Sequence, residues 1–103
     1  MKIYLAPDVI LSYILKTSHK VDELFLEIDD GKHQGIISTV AWYEVLACLK
    51  QTDNISYKRL ADVCFICEFM KFPDEGILKE QIKQISQERI DKLRNLAYEG
   101  YPE

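Results

Sequence analysis

Residues 2–15, "KIYLAPDVILSYIL", carry the reading that decides the fold. Ile3, Tyr4 and Leu5 form a short, β-prone apolar run, and Pro7 favours an extended residue just before it. A buried strand over residues 2–6 is expected. Val9, Ile10, Tyr13 and Ile14 then recur at helical spacing, so a helix is expected from Val9, with Asp8 placed to cap it.

The same alternation continues along the chain. Ser18 can cap a helix with Val21, Leu24, Phe25 and Ile28 on one face, Asp22 and Glu23 in its first turn and Gly31 as its stop. Residues 35–38, "GIIS", read as a second strand. A helix follows from Thr39 or Val40, with Trp42, Val45, Leu46 and Leu49 at i, i+3, i+4 and i+7, and "QTDN" ends it. A further helix from about Ile55 to Cys67 places Leu60, Val63, Cys64 and Cys67 on one stripe. "EFMKFPDEG" allows a short strand closed by Pro73 and Gly76. From Ile77 to Tyr98, Leu78, Ile82, Ile85, Leu93 and Leu96 mark one long helix or two that meet near Ser86. Strands separated by helices imply an α/β fold with three α/β/α layers: a short parallel sheet, right-handed crossovers and helices on both faces. Ligands of such sheets sit beyond the carboxyl ends of the strands.

The 103 residues suit one domain spanning 1–103. Apolar residues at 48% argue against disorder. A formal charge of −4 gives no general electrostatic reason to bind nucleic acid. It leaves open a metal-dependent nuclease, whose acidic pocket takes its positive charge from the ion. No segment approaches the ~20 apolar residues of a membrane span, and Pro7-Asp8 interrupts the first apolar run without a cleavage signature. A cytoplasmic protein without membrane contact is expected, and with it reduced thiols at Cys48, Cys64 and Cys67.

On this reading the first strand delivers Ala6, Pro7 and Asp8 at its carboxyl end, and the second delivers Ser38 and Thr39, with Glu44 one turn into the next helix. Glu44 is the informative member. Its helical neighbours are Val40, Ala41, Ala47 and Cys48, an apolar and mostly small set in which an ionised carboxylate needs a cation, a metal or a water-filled pocket. A salt bridge to a Lys or Arg accounts for Glu44 as well as a metal does. Capping alone accounts for Asp8.

"KIYLAPDVILSYIL", an amphipathic helix, then "GIISTVAWYEVLACL" and a second helical pair resemble the N-terminal two thirds of a PIN domain, particularly the VapC-type toxin ribonucleases. The likeness covers residues 2–50 best. It implies a Mg²⁺- or Mn²⁺-dependent endoribonuclease of a toxin–antitoxin pair, with RNA as substrate, an antitoxin protein as partner and a homodimer as assembly. By position Asp8 matches the family's polar residue after the first strand, Thr39 the hydroxyl before the helix and Glu44 the helical glutamate. Asp91, in "IDKLRNLAY", matches the acid at the head of a later helix, although Lys92 follows where a small residue is usual. Asp8, Glu44 and Asp91 are thus the implied metal ligands.

Two departures bear on activity. Ala6 stands where the family carries its first aspartate, and a methyl group cannot ligate an ion. Losing that carboxylate is expected to lower metal affinity and rate by orders of magnitude, leaving a weakly active or inactive protein. A gene that has lost catalysis and a deliberate Asp-to-Ala exchange both account for it. The family also continues beyond the point corresponding to Glu103, so a fold shortened at its C-terminus is expected, with an exposed edge that favours pairing with an antitoxin or a second copy. The alternative function is such a non-catalytic binding module.

Other signals favour plain structural roles. Cys64-Phe65-Ile66-Cys67 has C-x-x-C spacing but lies in an apolar stripe, so core packing is expected. His19 and His33 read as solvated. Lys50, Lys58 and Arg59 are close enough to form a small basic patch, or simply a solvated surface. Trp42 belongs to the core stripe rather than to a base-stacking surface.

Overall fold

The computed structural model describes residues 1–70 and 75–99. In chain order the elements are β1 (Lys2–Tyr4), α1 (Pro7–Leu15), α2 (His19–Asp29), β2 (Gln34–Ile37), α3 (Thr39–Leu49), α4 (Tyr57–Ile66), β3 (Cys67–Phe69), α5 (Glu75–Gln84) and α6 (Gln87–Glu99). The fold is mixed α/β, mostly helical, around an open three-stranded parallel sheet of order β1-β2-β3. Ile3 lies opposite Gly35, and Ile36 opposite Glu68. Among the described residues no helix is long and apolar enough to cross a membrane.

The first junction departs from the expected boundaries. β1 ends at Tyr4, although the Leu5 amide still donates to the Ile36 carbonyl at 2.9 Å. α1 begins at Pro7, not Val9, because proline's missing N–H and fixed φ suit the first helical position. The cap is therefore Ala6, in extended backbone and without a side-chain bond, and Asp8 falls in the first turn of the helix. The capping role expected for Asp8 is corrected, so its carboxylate needs another account.

Serines start the other helices where the sequence allows it. The hydroxyls of Ser18, Ser38, Ser56 and Ser86 each accept the amide N–H three residues on, at 3.3, 3.1, 3.3 and 3.2 Å. Ser86 divides α5 from α6, which settles the one-or-two-helix alternative in favour of two. Gly31, at φ +85°, follows the end of α2 as anticipated.

α1 is the central helix. Ile10, Leu11, Ser12 and Ile14 are buried, and the helix packs against α2, α3, α4 and α6. Its end is tied to the far end of the chain: the Thr17 hydroxyl bonds the Ser12 hydroxyl at 2.7 Å and donates to the Ala97 carbonyl in α6. That carbonyl belongs to the last turn of α6, where intrahelical donors run out. Lys16, between them, adopts φ +60° and ψ +42°, the left-handed region usually left to glycine.

Several side chains differ from the expected stripes. Cys67 lies in β3 rather than α4, its sulfur packed where a Cβ on Gly35 would meet it at 3.2 Å. Cys64 is exposed, so only Cys67 of the C-x-x-C pair is core, and neither forms a disulfide. α6 turns Ile90, Leu93 and Ala97 inward and leaves Leu96 at the surface. Gly76 sits inside α5. Pro73 lies outside the described residues. Trp42 is buried as expected and meets Phe69 edge-on, with ring centroids 5.0 Å apart.

Candidate functional site

Both βα junctions sit at the carboxyl end of the sheet, where β1 passes into α1 and β2 into α3. The two helix N-termini place partial positive charge there, which favours acidic side chains in the first turns. Asp8 is in the first turn of α1, and Glu44 is on α3, whose first residue is the half-buried Thr39. The Glu44 side chain is only 14% exposed. Its flanking Ala41, Ala47 and Cys48 are buried, while Val40 lies at the surface. The small residues bring the carboxylate close to its neighbours.

What it meets is an arginine. Arg89 of α6 donates from Nε to Oε2 of Glu44. Glu44 holds the guanidinium still more firmly protonated, first through this hydrogen bond and then through its charge, and the charge of Asp8 acts in the same direction. Arg89 is thus bonded to Glu44 and lies within reach of the charge of Asp8, 36 residues from Glu44 in sequence. A cleft of about 340 Å³ opens beside Glu44 and Arg89, with Tyr43, Gln81 and Gln84 on its walls. Cys48, one turn after Glu44 and fully buried, has its thiol pushed up to about 11, chiefly by burial.

Asp91 lies elsewhere. Two residues from Arg89, it projects from the other side of α6. There it is exposed and accepts from the Gln87 amide at 2.9 Å. Gln87 and Gln51 exchange a reciprocal pair of amide bonds at 2.8 and 2.7 Å, so this corner ties α6 to the end of α3. The hollow around Asp91 runs along the surface of α6 alone. The structure brings Asp8, Thr39 and Glu44 to the same end of the sheet and leaves Asp91 apart from them.

The donor set does not fit a divalent ion in this arrangement. Ala6 supplies no oxygen from its side chain, Glu44 is bonded to a guanidinium, and Asp91 faces Gln87. Among the described residues no three His, Cys, Asp or Glu side chains are grouped so as to hold one. Arg89 is the residue the sequence reading missed. The need of Glu44 for a counter-ion was legible; its partner, 45 positions away, was not.

A second arginine organises the opposite flank. Arg59 makes a two-pronged pair with Asp22, donates to the Tyr13 carbonyl at 2.9 Å and lies 4.6 Å from the Tyr13 ring centroid. Tyr13 stacks on Phe25 with centroids 4.0 Å apart, and its hydroxyl donates to Asp62, which also pairs with Lys58. Burial, then the Asp62 charge, raises the Tyr13 phenol above its ordinary range. Of the two readings of Lys50, Lys58 and Arg59, the solvated surface holds for Lys50 and Lys58, which are exposed, and is corrected for Arg59, which turns inward. His33 is likewise less solvated than expected, its Nε2 lying 2.9 Å from Glu27.

Comparison of the chain with protein-family models, with curated proteins and with solved structures finds no significant match.

Proposed function

We propose that the protein is a PIN-like relative of the VapC-type, metal-dependent endoribonucleases with little or no nuclease activity of its own. The observation that carries this reading is the placing of Asp8 and the largely buried Glu44 on the helices that follow the carboxyl ends of the paired strands β1 and β2, next to Ala6. Convergence of two carboxylates from separate βα junctions is what a nuclease of this kind needs. Alanine at the third position and a bonded arginine are what it cannot use.

The test restores the carboxylate. The unaltered protein is expected to leave RNA intact in the presence of Mn²⁺. Ala6→Asp, with Arg89 retained or exchanged for Gln, is expected to gain Mn²⁺ binding and Mn²⁺-dependent cleavage. Robust cleavage by the unaltered protein, or no gain in either variant, overturns the reading.

Exposed apolar side chains favour a second reading, a non-catalytic module that pairs with an antitoxin or with itself. Tyr57 borders an apolar groove formed by Leu46, Leu49, Ile55, Leu60 and Ile82, and Phe65 on the same helix is 88% exposed. Light scattering after size exclusion tests the self-pairing branch, which a monomer mass at high protein concentration removes.

A further inference from the structure

The Arg89–Glu44 contact is more than a surface ion pair. The carboxylate is 14% exposed while the guanidinium is 41% exposed, so the anion is the buried partner and depends on its cation. The cation is also delivered on a fixed support. Ser86 caps the start of α6, Ile90 and Leu93 are buried within a turn of Arg89, and the Ala97 carbonyl takes the Thr17 hydroxyl. With its backbone set in this way, Arg89 reaches Glu44 from a helix that cannot swing away without exposing core. Asp8 adds a second negative charge toward the same guanidinium. One fixed positive charge therefore stands bonded to Glu44, at the end of the sheet where Asp8 also lies.

We propose that Arg89 is the resident cation of this corner, and that its guanidinium and a divalent metal ion are mutually exclusive occupants of the Asp8–Glu44 pair. The inference rests on the reading of the corner as a former metal site. It adds that Ala6 is only half of the reason the corner takes no ion. A guanidinium satisfies carboxylates through directed N–H bonds and cannot polarise a water as Mg²⁺ or Mn²⁺ does, so the exchange keeps the charge balance and discards the chemistry. It follows that a carboxylate at position 6 competes with a cation already in place, whereas loss of Arg89 leaves a negative pocket in need of one.

The experiment uses the full chain and Mn²⁺ itself, followed by the electron paramagnetic resonance signal of the free ion and by thermal melting at constant ionic strength. Four proteins are compared: unaltered, Arg89→Gln, Ala6→Asp and Ala6→Asp/Arg89→Gln. The double variant is expected to take up Mn²⁺ about tenfold more tightly than Ala6→Asp. Arg89→Gln is expected to melt below the unaltered protein and to recover part of that loss on adding Mn²⁺, while the unaltered protein shows no Mn²⁺-dependent shift. Equal affinity in Ala6→Asp and the double variant overturns the inference and leaves the family reading standing. Uptake by Arg89→Gln that Ala6→Asp does not improve supports the inference and removes the family reading. No uptake by any variant overturns both. Should Arg89→Gln fold poorly, Ala6→Asp/Arg89→Lys is the second measurement: it retains a positive charge at position 89 and is expected to take up Mn²⁺ no more tightly than Ala6→Asp, and tighter uptake there overturns the resident-cation role.

Discussion

Two arginines hold carboxylates in this protein, and they do so in opposite ways. Arg59 is inserted among partners: the edge of its guanidinium donates to Asp22 and to the Tyr13 carbonyl, one face lies over the Tyr13 ring, and the two charged side chains are similarly covered, at 22% and 28% exposure. Arg89 reaches from a more open position to a carboxylate more buried than itself. The first arrangement distributes a cation over many contacts and fastens α4 to α1 and α2. The second uses one cation to neutralise a charge the fold has already buried. The lesson is that an ion pair is read from its more buried member, since that group determines what is lost when the partner goes.

The sharpest way to break this contrast is to remove each cation. Arg89→Met is expected to cost about 3 kcal/mol, because Glu44 stays behind without its partner. Urea unfolding measures it, and a cost under 1 kcal/mol would make the pair an ordinary surface contact. Arg59→Met is expected to cost less, about 2 kcal/mol, since Asp22 is exposed enough to regain water. Lysine separates the two further: Arg89→Lys should recover most of the loss, and Arg59→Lys less than half, because an ammonium neither forks onto Asp22 nor stacks on Tyr13. Equal rescue at both positions would remove the distinction.

A third, smaller effect lies in alkali. The Cys48 thiol beside Glu44 has its pKa raised from 9.0 to about 11 in the folded protein. Its stability contribution is complete below pH 9 and is lost as pH rises toward 11, because the unfolded chain gives up the proton first. The loss from this group amounts to about 1 kcal/mol by pH 10. Cys67, raised to about 12, acts in the same sense. Unfolding curves at pH 8, 9 and 10 should show the decline, and Cys48→Ala should flatten part of it. An unchanged slope would mean that Cys48 does not contribute. The smallest expected effect is a gain of about 0.5 kcal/mol for Lys16→Gly, which relieves a left-handed residue in the link between α1 and α2. A loss there would show that the lysine side chain holds the link.

The order of strands and helices was legible because each element carries its own local signal. Ser18 and Ser38 mark starts, Gly31 a stop, and Val21, Phe25 and Ile28 a period. Boundaries failed where two local rules competed. Pro7 and Asp8 both signal a helix start, and proline's preference for the first helical position displaced the aspartate from the cap. The site was legible only in part, for a different reason. Glu44's small, apolar neighbours announce a buried charge, which is a statement about one residue. Which cation answers it depends on how α6 crosses α3, and no spacing encodes that crossing. Arg59 shows the converse: its place beside Lys58 suggested a patch, but Asp22 and Tyr13 reach it from other helices.

The bond from Thr17 to Ala97 also constrains the order of events while the chain is being made. α1 is synthesised before the other described helices, yet one of the helices that covers it, α6, is the last of them. Until residue 97 is available, the apolar surface of α1 that α6 will cover has no native neighbour, and Glu44 has no guanidinium. Assembly of the centre thus waits on α6, and until then one flank of α1 keeps its apolar surface open to non-native contacts.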